Sequence, residues 1–130
     1  MASAAIIEGL ERVKNSFNSY PLGHLQIAAA IASFKDDSYF RSTCAQVISS
    51  RDSLTVELQS LGFEVLPSAA NFVFARHSAR DAEDLALQLR QQGLIVRHFK
   101  TDRIDQFLRI TVGTAEQNLL LTESLARILA

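Results

Sequence analysis

The feature that most constrains this chain is a change of hydrophobic period at Gly62. Before it, Phe40, Cys44, Val47, Leu54, Leu58 and Leu61 mark one stripe of a long helix beginning near Ser38. Gly62 is a natural stop because glycine takes the left-handed conformation without steric cost. After it, "FEVL" and "NFVFAR" have the two-residue alternation of strands, joined by "PSAA" as a hairpin-like pair. "SARDAEDLALQLRQQG" returns to helical spacing, with Ser78 as the expected N-cap and Gly93 closing the helix. "LIVRHF" and "QFLRITV" predict two further strands. "TAEQNLLLTESLARIL" predicts a last helix, opened by Thr114 and Gln117 in capping-box spacing.

Upstream, "AAIIEGLERVK" places Ile6, Leu10 and Val13 at helical spacing. "NSFNSYPLG" interrupts with turn formers, and "HLQIAAAIASF" resumes as helix. The paired carboxylates Asp36 and Asp37 suit a helix start. The expected order is α-α-α-β-β-α-β-β-α, an α/β protein of α+β type. It has a small, mostly antiparallel sheet of about four strands with helices packed on it. At 130 residues the simplest organisation is one domain.

Composition removes several function classes. Thirteen basic and 14 acidic residues leave a net charge of −1, so no chain-wide field favours nucleic acid or anionic lipid. "LQIAAAIASF" is too short to span a bilayer, and the start "MASAAIIEGLERVKNS" has no signal-peptide pattern. Cys44, the one cysteine, excludes an intrachain disulfide and fits a reducing, cytoplasmic setting. On an apolar helical stripe it is expected to be a buried structural thiol. His24, His77 and His98 lack metal-ligand spacing. There is no glycine-rich phosphate loop and no G-x-S-x-G elbow. Lys14, Lys35 and Lys100 have no setting that argues for a reactive amine.

Arg109 is the anomaly, a guanidinium within the apolar strand "QFLRITV". Side chains alternate along a strand, so Arg109 shares a face with Phe107 and Thr111, and Arg97 one with Ile95 and Phe99. The seven residues Lys100–Gln106 between the strands favour antiparallel neighbours. Two readings stay open. Each arginine pairs with a structural carboxylate such as Asp102 or Asp105, or lies on a solvated face. Alternatively, both converge on one anion through bidentate charge-assisted hydrogen bonds.

"NSFNSYPLG", "LGFEVLPSAANFVFAR", "LIVRHF" and "FLRITVGTAEQN", in this order and spacing, resemble the C-terminal part of histidinol-phosphate aminotransferases. These are fold-type-I enzymes that use pyridoxal phosphate (PLP). The likeness runs from about Ile6 to Leu129. It implies that residues 1–130 form the small substrate-closing domain, with residues 1–22 adjoining the large domain. It further implies that Arg109 grips a substrate carboxylate or phosphate and that Arg97 assists with the phosphate. Asn71 and Phe72 would lie near the mouth of the active site, and Tyr20 would line it. The implied reaction transfers an amino group between histidinol phosphate and glutamate or 2-oxoglutarate, in histidine biosynthesis. A full-length enzyme of this kind is expected to be a homodimer holding PLP. The lysine that carries the cofactor lies upstream of the matching region, so this chain alone is expected to bind no PLP and to be inactive. Alternatives are a related aromatic aminotransferase, an amino-acid-phosphate decarboxylase, or a non-catalytic anion-binding module.

Overall fold

The computed structural model describes residues 3–17 and 22–130. Tyr20, one of the expected site residues, lies outside them. The elements run α1 (Ala4–Phe17), α2 (His24–Lys35), α3 (Asp37–Ser60), β1 (Phe63–Leu66), β2 (Phe72–His77), α4 (Ala82–Gln91), β3 (Arg97–His98), β4 (Leu108–Thr111) and α5 (Ala115–Leu129). This is the order expected from the change of period.

The chain divides into two compact units, Met1–Phe40 and Arg41–Ala130. In the first, α1 carries an exposed Glu8–Arg12 ion pair one turn apart at 2.6 Å. Its apolar stripe of Ile6, Leu10 and Val13 is exposed, and α2 has no buried residue. Asp36 begins α3 as expected, its carboxylate accepting the Tyr39 N–H at 3.2 Å.

In the second unit, four strands form an antiparallel sheet in the order β1-β2-β4-β3. One parity of side chains packs inward: Phe63, Val73, Ala75, Leu108 and Ile110 are buried. They join Leu54 and Leu58 of α3, Leu85 and Leu89 of α4, and Leu121 and Leu125 of α5 in one core. Three helices thus cover one face of the sheet and leave the other parity outside.

Local chemistry sets the ends of these elements. Gly62 has φ +88, and a Cβ there would lie 3.0 Å from His77 Nε2, so both conformation and space call for glycine. Thr114 and Gln117 form the expected capping box: Thr114 Oγ1 accepts the Gln117 N–H at 3.3 Å, and Gln117 Oε1 accepts the Thr114 N–H at 3.0 Å.

Three expectations need correction. The N-cap of α4 is Asp81, whose carboxylate accepts the Asp84 N–H at 3.0 Å; Ser78 lies in the preceding turn. "LIVRHF" gives only the two-residue strand Arg97–His98, at the sheet edge, where Ile95 is 78% exposed. The α3 stripe is buried only towards its C-terminal end, where the sheet meets it. Phe40 is exposed and Cys44 half-buried, so the thiol is not the fully buried one expected.

Candidate functional site

The outer face of the sheet is built by register. Arg97 and Arg109 stand directly opposite each other across β3 and β4, and Phe74 stands opposite Arg109 on β2. Directly opposed side chains have Cβ atoms roughly 5 Å apart, and like charges in that position repel. Among the described residues neither guanidinium has a carboxylate within ion-pair distance. Pairing with Asp102 or Asp105, one of the two readings left open, is therefore not what this fold contains.

What the two guanidiniums do meet is aromatic. Arg97 lies 5.4 Å over the Phe99 ring. Arg109 lies 5.8 Å over the same ring and 5.5 Å over Phe72. The rings support one another: Phe74 stacks on Phe107 at 4.7 Å and meets Phe99 edge-on at 6.2 Å. Arg76 covers Phe107 at 5.3 Å, but it differs from the other two arginines. Its register partner is Glu64, and the two form an ion pair at 2.7 Å. On one face, then, one arginine has a carboxylate opposite and two have only each other. An anion with two or more oxygens, a carboxylate or a phosphate, is the kind of group that suits such a pair.

Asn71 sits just before β2, exposed, with its carbonyl accepting the Val112 N–H at 2.9 Å. The preceding loop is fixed by Ser68, which donates to the Phe72 carbonyl at 2.6 Å and accepts the Ala70 N–H at 3.1 Å. Asn71 is three residues along β2 from Phe74, the position facing Arg109. That is about 10 Å of strand, so Asn71 belongs to the rim and not to the arginine pair.

Two of the histidines make local hydrogen bonds. His98 Nε2 lies 2.7 Å from the Asp105 carbonyl, and His77 Nδ1 accepts the Ala79 N–H at 3.3 Å. No cluster of His, Cys, Asp or Glu among the described residues could hold a metal ion. Nor is any helix there long and apolar enough to cross a membrane. Sequence reasoning misses the aromatic floor of Phe72, Phe74, Phe99 and Phe107. Its signal is the shared parity of "FVFAR" and "FLR", but only the strand register joins them.

A family model described as aminotransferase class I and II matches residues 1–125. The chain belongs to the class I and II aminotransferases. Histidinol-phosphate aminotransferase 1 of Pseudomonas aeruginosa is 65% identical over 122 residues, covering 94% of this chain and 35% of that protein. Histidinol-phosphate aminotransferase 2 of Dechloromonas aromatica is 60% identical over 125 residues, covering 96% and 35%. This aminotransferase chain thus spans about a third of the length of the curated relatives it matches. A crystal structure of the histidinol-phosphate aminotransferase of Sinorhizobium meliloti in complex with pyridoxal-5'-phosphate superposes with a TM-score of 0.77. It is 23% identical, over 93% of this chain and 34% of that one, and so bears on the fold alone.

The described residues of this aminotransferase chain do not fit PLP as a covalently held cofactor. Lys100 is exposed and lies 2.6 Å from Glu83. The hydrogen bond and charge of Glu83 raise its pKa, the opposite direction from the lowering that would activate an amine nucleophile. Lys14 and Lys35 are exposed on α1 and α2.

Proposed function

We propose that this chain is the substrate-holding small domain of a PLP-dependent histidinol-phosphate aminotransferase, with residues 1–22 adjoining the large domain. The whole enzyme would transfer an amino group between histidinol phosphate and glutamate or 2-oxoglutarate, in cytoplasmic histidine biosynthesis, as a homodimer. PLP supplies the amino-group chemistry when bound, and the residues that anchor it belong to the remaining two thirds of such an enzyme. The observation that carries the proposal is the Arg97–Arg109 pair, set in register with no carboxylate partner among the described residues. The identity to histidinol-phosphate aminotransferases supports the choice of substrate.

In this reading both arginines bind and orient. Arg109 takes the substrate carboxylate or phosphate, Arg97 helps with the phosphate, and neither moves a proton. Asn71 would contribute at the rim. The test is Arg109→Ala in a protein of the relatives' full length. Losing a charge-paired contact of this type costs roughly 2–5 kcal/mol, so kcat/KM should fall by about 1.5 to 3.5 orders of magnitude with KM raised. Near-normal kinetics with histidinol phosphate and with glutamate would overturn the assignment. The 130-residue chain alone, mixed with PLP, should develop no long-wavelength absorbance that depends on one of its lysines.

A further inference from the structure

Two like charges face each other across β3 and β4, with no anionic side chain among the described residues to hold them. Left to solvent, long guanidinium side chains would diverge, since repulsion and rotamer entropy both favour it. Here both lie over one ring. Phe99 is 5.4 Å from Arg97 and 5.8 Å from Arg109, whereas Phe72 meets Arg109 only. Phe99 directly follows β3, is half-buried, and is braced edge-on by Phe74 at 6.2 Å. Phe74 is itself stacked on Phe107. The ring therefore has a fixed place, and its π-face attracts both cations at once.

We propose that Phe99 is the positioning residue of the anion site, the shared platform that holds Arg97 and Arg109 together before any ligand arrives. It touches neither substrate nor cofactor and acts through the two arginines, which lowers the ordering cost when an oxyanion binds. The proposal rests on reading the arginine pair as an anion site, and the experiment separates the two.

The side-chain Nε–Hε signals of the arginines are followed by NMR in the 130-residue chain, free and titrated with inorganic phosphate. In the parent, the Arg97 and Arg109 signals should carry ring-current shifts and respond to phosphate together, with one Kd. The Arg76 signal, whose partner is Glu64, should stay still. Phe99→Leu should remove the ring-current shift of Arg97, reduce that of Arg109, which keeps the Phe72 ring, and weaken phosphate binding roughly tenfold, the loss of two exposed cation–π contacts. Phe99→Tyr should keep the Kd within about twofold. Phe72→Leu should alter the Arg109 signal alone.

If neither arginine signal moves with phosphate in the parent, the anion reading fails and takes this proposal with it. If phosphate binds but Phe99→Leu binds as tightly as the parent, the role of Phe99 fails alone. It fails equally if Phe99→Tyr binds as weakly as Phe99→Leu. Unfolding of the chain by Phe99→Leu would overturn it too, by making the ring a core element.

Discussion

The two faces of the sheet are made from the same strands and obey different rules. Inward, Val73, Ala75, Leu108 and Ile110 are essentially inaccessible and pack against leucines from three helices. Outward, the alternate residues Phe72, Phe74, Arg76 and Arg109, with Arg97 opposite, form a layer of rings under guanidiniums. Each inward residue removes apolar surface from water and so favours folding. The outward layer places two positive charges in register, which folding alone would not favour. That difference is what the proposed anion site would require of the outer face, at some cost to stability.

The sharpest way to break this contrast is to truncate one residue from each face. Leu108→Ala should cost roughly 2–5 kcal/mol in urea denaturation, because it empties a buried site in the core that the sheet shares with α3, α4 and α5. Arg109→Met, one position along the same strand, should leave stability within about 0.5 kcal/mol of the parent. Relief of the opposed charge and the apolar stem kept over Phe72 should offset the lost cation–π contacts with Phe72 and Phe99. A loss of about 1 kcal/mol or more at Arg109 would mean that the outer face is structural after all.

Between these extremes lies the helix that closes the core. Thr114→Ala removes the hydroxyl that accepts the Gln117 N–H and should cost about 1 kcal/mol. Thr114→Ser should retain most of that, since Ser caps equally well. Equal losses for Ala and Ser would shift the cause from capping to packing.

Much of this architecture is legible in the sequence, and the residues that are not share a cause. Gly62, Gly93 and the Thr114–Gln117 pair act through local geometry, so their positions alone bound α3, α4 and α5. The start of α4 is ambiguous in sequence because Ser78 and Asp81 both fit an N-cap. Only the extended backbone of Asp81, with φ −69 and ψ 135, shows which one accepts the Asp84 N–H. Periodicity places Cys44 too deep because it reports which side of α3 is apolar. It does not report how far along the helix the sheet extends.

The candidate site follows the same pattern. Parity puts Arg97 beside Phe99 and Arg109 beside Phe107, but parity within a strand cannot say which residues of two strands meet. That register is set by the connection after β3, including Arg103 in the left-handed region at φ +73. Once it is fixed, Arg97 faces Arg109 and Phe99 lies under both. The proposed substrate rests on the likeness to histidinol-phosphate aminotransferases, because no spacing in the chain encodes it.

The finest test of the inner face is electrostatic and concerns the cap of α4. The Asp84 backbone N–H, and after it the Gln106 side chain, hydrogen-bond the charged form of Asp81 and lower its pKa from the usual 3.8. A carboxyl whose folded pKa is depressed stabilises the fold above its unfolded value. That contribution is lost as pH falls through the folded one. The parent should therefore lose stability on acidification below about pH 3.8. Asp81→Asn keeps an N-cap acceptor but removes the titration. Its stability at about pH 7 should stay close to the parent's, and its urea midpoint should fall less steeply below pH 3.8. Parallel acid limbs for the two proteins would show that Asp81 caps α4 without coupling its charge to folding.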